Sequence, residues 1–476
     1  MSDPSAGASL SECQSSSPWW QDLRDATRGT RHDYTTGSLN RAIFLLAVPM
    51  VLEMVMESLF AVADVFWVSH LGADAVATVG LTESLMILVY TLAVGLAIGV
   101  TATVARRTGE KAPDEAARAA VQGLCLGAVV SACLCIMGAF GAPQLLRLMG
   151  ASPSVLNSGT TFTRVMLGGS LTAFLLFIVN AVFRGAGDAA VAMRVLWLSN
   201  GINILLGPVL IFGLGPFPCL GVTGAAVATT IGRGVGLLFA LSRLRRGSGH
   251  LRVAREHLQL QWRAMLRLLR LSASGTFQVL VGSMSWILLV RLMAGYGSVP
   301  MAGYTIAIRL VLFALLPAWG LSNAAATLVG QSLGAGKPDR AEAAVWLSAR
   351  WNLAFLGLMA LVFILFAPAI VRAFTRDNGV AAVAVYGLRA VALGFPCFAF
   401  GMVFTQSFNG AGDTLTPTWI NLGVFWLFEI PFAWALSGLT GLGFRSIFLA
   451  VLAAYMLLAA VSAVLFHRGR WRTMNV

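Results

Sequence analysis

The sequence predicts an all-α integral membrane protein, with twelve transmembrane helices arranged as two six-helix repeats, on three observations. Of its 476 residues 58% are hydrophobic and only 11% charged, with a mean hydropathy of +0.80, so there is too little polar surface to keep a globular chain in water. The apolar residues fall in long continuous runs, not the short alternating ones of a membrane β-barrel. Loop residues also recur at one fixed offset, which divides the chain into halves.

A helix that crosses a hydrocarbon core of about 30 Å needs roughly 20 apolar residues at about 1.5 Å rise each. By that measure spans are expected at 40–69, 75–105, 117–140, 160–183, 191–213, 221–243, 264–292, 302–332, 343–366, 383–408, 415–437 and 443–466.

In a soluble protein the formal charge of +13 would suggest nucleic acid. Here the basic residues instead alternate from one connection to the next, and no nucleic-acid partner is expected. Arg24, Arg28, Arg31 and Arg41 precede the first span, Arg106, Arg107, Lys111 and Arg118 follow the second, and Arg184 and Arg194 follow the fourth. The loop after the sixth carries Arg243, Arg245, Arg246, Arg252, Arg255 and Arg263; Lys337 and Arg340 follow the eighth, and Arg468, Arg470 and Arg472 close the chain. The opposite connections hold few, such as Arg147, Arg372, Arg376 and Arg445. The positive-inside rule then places both termini in the cytoplasm of a multi-pass protein of a bacterial-type inner (plasma) membrane.

Residues 1–38 lack the pattern of a signal peptide and read as a cytoplasmic tail, disordered at its start, with Trp19 and Trp20 of "PWWQDL" as an interfacial anchor. Residues 467–476 form a second cytoplasmic tail. Cys13, Cys125, Cys133, Cys135, Cys219 and Cys397 have no metal-ligand spacing, and no disulfide framework is expected.

A shift of 225 residues carries Gly72 onto Gly297, Gly109 onto Gly334, Pro113-Asp114 onto Pro338-Asp339, and "FRGAGD" (Phe183 to Asp188) onto "FNGAGD" (Phe408 to Asp413). The expected units are a six-helix lobe at 39–243, a cytoplasmic linker at 244–263 and a second lobe at 264–466. Six is even, so the two lobes enter from the same side and relate about an axis along the membrane normal, with a central cleft between them. That is a transporter architecture.

The first span carries "EMVMESLFAVAD", three carboxylates in an apolar run. At about 100° per residue Glu57 is turned about 40° from Glu53 and Asp64 about 20°, so all three share one face over about 16 Å of helix. A carboxylate at that depth faces protein or water, takes a partner or holds a proton, and close acids titrate as a coupled set. Glu53, Glu57 and Asp64 are therefore cation-coupling candidates, as opposed to simple helix-to-helix hydrogen-bonding groups. Asn180 and Asn203 offer carbonyl oxygens to an ion or donors to Asp64, which makes Asp64, Asn180 and Asn203 a candidate sodium site; the alternative is that the asparagines only join helices.

Glu83 and Arg309 fall one position apart under the repeat offset and are placed to meet across the lobe interface. Gln278 occupies the repeat position of Glu53, and Glu429 is a separate acid in the eleventh span. With Trp286 these are the candidates for a substrate cleft, where Phe277, Met284 and Met402 would add an adaptable apolar surface. Gly95 to Gly99 and Gly232 to Gly236 read as close helix packing.

Residues 38 to 466 resemble the multidrug and toxic compound extrusion (MATE) transporters. The resemblance rests on the twelve spans, the 6+6 repeat, "VPMVLEMVMESLFAVADVFWVSHLGADAVATVGL", the paired "GAGD" loops and "GQSLGAGKPDRAEAAV". It implies a MATE-like fold and export of small organic, often cationic compounds in exchange for protons or sodium ions, with no other cofactor. Asp64 aligns with the aspartate that resembles the family's cation-coupling site. Two departures stand out. "NILLGP" keeps Asn203 but has Gly207 where one branch has an Asp, and "FQVLVGSMSW" and "FPCFAFGMVF" lack the acids another branch uses, which implies an ion site in the amino-terminal lobe.

"GAGKP" has the wrong spacing for a phosphate loop, and five scattered histidines, His250 and His257 among them, form no zinc site. The chain is expected to be a secondary transporter, not an enzyme, and to work as a monomer among membrane lipids. The rival readings are a flippase for a lipid-linked glycan, which would want a strongly cationic cavity where this chain offers few intramembrane arginines beyond Arg233 and Arg309, and an integral membrane enzyme. A major-facilitator transporter is disfavoured by the loop "ARRTGEKAPDEAARAAV".

Overall fold

Inside a bilayer the backbone has only itself to hydrogen-bond, so long apolar runs become helices. The computed structural model describes residues 19–29, 32–247, 249 and 251–474. The expectations for residues 1–18, Cys13, Arg31 and His250 fall outside them. The helices are α1 (Trp19–Arg28), α2 (Leu39–Ser69), α3 (Ala73–Gly109), α4 (Pro113–Leu148), α5 (Pro153–Gly168), α6 (Ser170–Ala186), α7 (Ala189–Phe212) and α8 (Val222–Arg246). After a 3₁₀ turn at Arg255–Leu258 come α9 (Trp262–Ala294), α10 (Ser298–Gly334), α11 (Pro338–Arg372), α12 (Asn378–Leu393), α13 (Phe395–Ala411), α14 (Leu415–Asn421), a π-helical stretch at Leu422–Glu429, α15 (Ile430–Thr440) and α16 (Arg445–His467). No strand occurs among the described residues.

Eleven of these stretches are long and apolar enough to span a membrane, and α12 with α13, bent by 54°, makes twelve. The repeat is visible element by element. The offset of 225 carries Ala73–Gly109 onto Ser298–Gly334 and Ser170–Ala186 onto Phe395–Ala411. The break at Gly169 between α5 and α6 falls on the break at Gly394 between α12 and α13. Pro113 and Pro338 both stand in the first turn of their helices, where a missing N–H costs nothing. Gly187 and Gly412 both close the "GAGD" loops at φ 87°, a left-handed conformation that glycine adopts without penalty. One pair differs: Gly336 is at φ 68°, and its counterpart Lys111 takes φ 57° with a side chain.

The halves join through a pseudo-two-fold set of contacts, α3 on α9 and α2 on α10. Glycine makes the approach close enough. A Cβ on Gly95 would lie 2.5 Å from the Thr276 backbone, and one on its counterpart Gly320 would lie 2.7 Å from the Met50 carbonyl oxygen. At the arginine-rich end, a Cβ on Gly109 would sit 2.0 Å from the Gln331 carbonyl oxygen and one on Gly334 2.1 Å from that of Arg106. Gly232 and Gly236 likewise bring α8 onto Ser199 and Asn203 of α7.

At that same end each half holds the segment that precedes the other half's first spanning helix. Arg340 of α11 donates to the carbonyl oxygens of Tyr34 (2.9 Å), Thr36 (2.8 Å) and Gly37 (2.9 Å), and Lys337 donates to that of Thr35 (2.9 Å). Tyr34 in turn donates to the Gly187 carbonyl oxygen at 3.2 Å, so residues 34–37 strap the two halves together. On the other side, Gln122 of α4 donates to the Gln259 carbonyl oxygen (2.8 Å) and accepts from the Gln261 N–H (3.1 Å). Outside the strap, α1 ties to α2 through Arg41, which pairs with Asp22 at 3.0 Å and Asp25 at 3.3 Å. Trp19 and Trp20 are 68% and 63% exposed on α1.

Candidate functional site

The three acids of α2 point into the amino-terminal half, and the packing of α6, α7 and α8 against that face decides what each one meets. Glu53 is fully buried and accepts from Arg184 Nη1 of α6 at 2.7 Å. One turn on, Glu57 accepts from Arg233 Nη2 of α8 at 3.1 Å and from Asn200 Nδ2 of α7 at 2.9 Å. Asp64 is half-buried and, among the described residues, has neither a hydrogen bond nor an ion pair; it lies within electrostatic reach of Glu83 on α3 and of Arg233.

Arg233 is the centre of this group. It is 3% exposed, its guanidinium lies 5.6 Å from the Phe60 ring centroid, and beyond its bond to Glu57 its Nε and Nη1 are buried with no partner. A buried guanidinium with unused donors, one paired carboxylate and one unpaired carboxylate within reach can exchange partners when the unpaired acid changes charge.

The two asparagines meet different surroundings. Asn203 donates to Thr229 Oγ1 at 2.6 Å, a bond between α7 and α8. Asn180 is buried in α6 with its Oδ1 unpartnered. Neither is hydrogen-bonded to Asp64. Gly207 leaves open space where a Cβ would point.

Glu83 and Arg309 are both exposed, on helices α3 and α10 that pack together; they feel each other electrostatically but form no ion pair. In the carboxy-terminal half Gln278 is buried with its Oε1 unpartnered. Trp286 is half-buried against the apolar core of that half, as is Met402, while Phe277 and Met284 are 50% and 38% exposed. Glu429 is 3% exposed, which takes it out of any open cleft, and it accepts from Ser285 Oγ at 2.9 Å. No group of three or more His, Cys, Asp or Glu side chains fit to hold a metal occurs among the described residues.

Sequence reasoning found the acids and missed their partners Arg184, Arg233 and Asn200. Arg184 sits beside a "GAGD" loop and reads as one more flanking charge, although its place at the end of an apolar run was a signal that it needs an anion. Arg233 stands alone among apolar and small residues in α8 and carried the same signal.

The family model described as MatE matches this chain twice, over residues 49–209 and 276–435, once in each half. The "Probable multidrug resistance protein YoeA" of Bacillus subtilis is 26% identical over 434 residues, covering 90% of this chain and 93% of that protein. The "FAD transporter" of Shewanella oneidensis is 26% identical over 419 residues, covering 85% and 89%. Among solved structures, an "outward-facing conformation of a multidrug resistance MATE family transporter" superimposes with a TM-score of 0.85 at 26% identity, covering 92% of this chain and 97% of that one.

Proposed function

Because this chain belongs to the MatE family of membrane transporters, we propose that it is an ion-driven antiporter that exports small lipophilic organic cations. In this reading Asp64 is the coupling carboxyl and Arg233 the group that its charge moves. The observation that carries it is the buried Arg233, with two unused donor nitrogens, between a paired Glu57 and an unpaired Asp64.

With a proton or sodium ion on Asp64, Arg233 stays with Glu57, and Glu57, accepting also from Asn200, ties α2 to α7 and α8. When the ion leaves, the bared Asp64 carboxylate competes for Arg233, because a charge in so apolar a setting needs a counter-charge. The bond between α8 and α2 then moves about two turns along α2, and α7 is left holding Glu57 alone. A shift of partner along one helix is the kind of two-state element through which an ion can bias two lobe arrangements.

The basic end lies in the cytoplasm, with both termini, in a plasma membrane. The strap at residues 34–37 and the glycine contacts near Gly109 and Gly334 then seal the cytoplasmic side, and the cargo site opens outward. Exposed Glu83 on α3, within electrostatic reach of Arg309 of the other half and of Asp64, supplies negative charge for a cationic cargo. The chain acts as a monomer and uses no ATP.

The test is transport by the purified protein in liposomes, with proton and sodium gradients imposed separately. Export of a lipophilic cation driven by one gradient is expected, while flavin adenine dinucleotide, an anionic cargo suggested by one relative's name, is not exported. Asp64→Asn keeps volume and hydrogen-bonding capacity but loses the charge, and it should lower gradient-driven export by at least about tenfold, about 1.4 kcal/mol in barrier terms. Wild-type export by folded Asp64→Asn would remove Asp64 from the coupling step.

A further inference from the structure

The carboxy-terminal half has one acid away from its helix ends, Glu429, and its surroundings differ in kind from those of the α2 acids. It closes the π-helical stretch Leu422–Glu429 and is buried to 3% exposure. This stretch packs against α9, α14, α15 and α16. From α9 comes Ser285, donating to Glu429 Oε2 at 2.9 Å, with its Oγ also 3.4 Å from the Phe425 carbonyl oxygen. From α16 comes Tyr455, and from α10 Tyr304; both are within electrostatic reach of Glu429, and both hydroxyls are buried with no partner. Helices α14 and α15 contain no titratable side chain. The cations of the surrounding helices, Arg263, Arg267, Arg270 and Arg291 on α9 and Arg445 and His467 on α16, make no ion pair with it.

An ionised carboxylate buried with no counter-ion is far costlier than a neutral acid that shares hydrogen bonds with hydroxyls. In the amino-terminal half Glu53 and Glu57 each have a guanidinium; among the described residues Glu429 has no cation, and its one hydrogen-bond partner is the Ser285 hydroxyl, with those of Tyr304 and Tyr455 in electrostatic reach. Two of those hydroxyls are unsatisfied, and hydroxyls can both accept from a carboxylic O–H and donate to a carboxylate. We propose that Glu429 is a second proton-binding site, filled in this conformation, whose carboxyl is held by Ser285 with the unpartnered hydroxyls of Tyr304 and Tyr455 within electrostatic reach.

The chemistry is a simple acid–base exchange. On release, the carboxyl O–H bond breaks and the proton passes to a water molecule as hydronium; on reloading, hydronium returns it to the carboxylate and leaves water. Release requires water to reach the site, and the π-helical stretch is the place where the span is least regular. Proton loss at Glu429 is therefore tied to rearrangement of the span from Leu415 to Thr440. The offset of 225 carries α7, which holds Asn200 and Asn203, onto this same span. In the amino-terminal half this element bonds the acidic face of α2 through Asn200, and in the carboxy-terminal half it carries the acid itself, so the same repeated element would respond to both sites. Only this last consequence rests on the transport reading; occupancy of the site by a proton does not.

Infrared difference spectra of the purified full chain in lipid, between neutral and alkaline pH, test it. A carbonyl-stretch band of a protonated carboxyl group is expected at neutral pH, absent in Glu429→Gln and retained in Asp64→Asn. Ser285→Ala should move that band, since it removes the hydrogen bond to Glu429, and this variant carries the test if Glu429→Gln does not fold. A band set unchanged in folded Glu429→Gln, or a band indifferent to Ser285→Ala, overturns the proposal. Normal export by Asp64→Asn with the Glu429 band intact would sink the transport reading and leave this site standing. Loss of export in Asp64→Asn with no Glu429 band would do the reverse.

Discussion

The two halves share a backbone and differ in how they handle polarity in the membrane. Under the offset of 225, Glu53 becomes Gln278 and Arg184 becomes Asn409, so a buried ion pair in one half is a pair of neutral amides in the other. Glu57 becomes Gly282, Asp64 Leu289, Asn200 Phe425 and Arg233 Leu458. Both partners of each charged contact have been replaced together. That is what the physics of buried charge demands: an ion pair or its neutral substitute is tolerable in an apolar interior, but half of a pair is not. Glu429 is the exception among the described residues, a buried acid without a cation, bonded instead to the Ser285 hydroxyl.

The strongest test of that contrast is to move the neutral arrangement across. Arg184→Asn alone leaves Glu53 buried and uncompensated, and should cost about 3–5 kcal/mol of stability. Glu53→Gln alone strands the guanidinium at similar cost. The double variant Glu53→Gln with Arg184→Asn reproduces the Gln278 and Asn409 chemistry and should recover most of the loss. Thermal unfolding in detergent reads all three; a double variant no more stable than either single one would mean the halves are not interchangeable at this position.

The strap gives a smaller contrast. Arg340 uses a charged fork on three carbonyl oxygens, whereas on the opposite side residues 259–261 are held by a neutral amide, Gln122, next to a His257–Asp114 contact at 3.3 Å. Hydrogen bonds from a charged group are worth about 1.5–3 kcal/mol and neutral ones about 0.5–1.5 kcal/mol. Arg340→Ala should therefore speed amide hydrogen exchange at residues 34–37 and around Gly187 more than Gln122→Ala does at residues 259–261. Equal acceleration in the two variants would show that the charge of Arg340 adds nothing to the closure.

The smallest difference is in backbone conformation. Lys111 takes a left-handed conformation that its counterpart Gly336 adopts freely. Gly336→Lys should lower stability by about 1 kcal/mol, seen as a lower unfolding midpoint. In Lys111→Gly the relief of strain is offset by loss of the exposed Asp33 contact at 3.5 Å and by the greater freedom of the unfolded chain, so its midpoint should barely move.

Most of the architecture was legible in the residues. Span number follows from hydropathy, because a bilayer admits so few backbone solutions. The repeat follows from Gly109 and Gly334, from Pro113 and Pro338 and from the "GAGD" loops, because turns and close approaches constrain residue type wherever they occur. The acidic face of α2 follows from helical period alone. The asparagine contacts were not legible: Asn203 gives its amide hydrogen to Thr229 and not to Asp64. Nor was the π-helical stretch before Ile430, since a change of winding within an apolar run leaves no mark in hydropathy.

The sequence by itself therefore determined the class, the spans, the internal symmetry and the face on which the acids lie, all properties of single helices and of their connections. Only the tertiary structure decided that Arg184 belongs to Glu53, that Arg233 pairs with Glu57 within electrostatic reach of Asp64, and that Glu429 meets the Ser285 hydroxyl and no cation. These are matters of helix rotation and register between segments far apart in the chain. One residue of slip turns a side chain by about 100°, and in a low-dielectric interior that turn separates a paired charge from a stranded one.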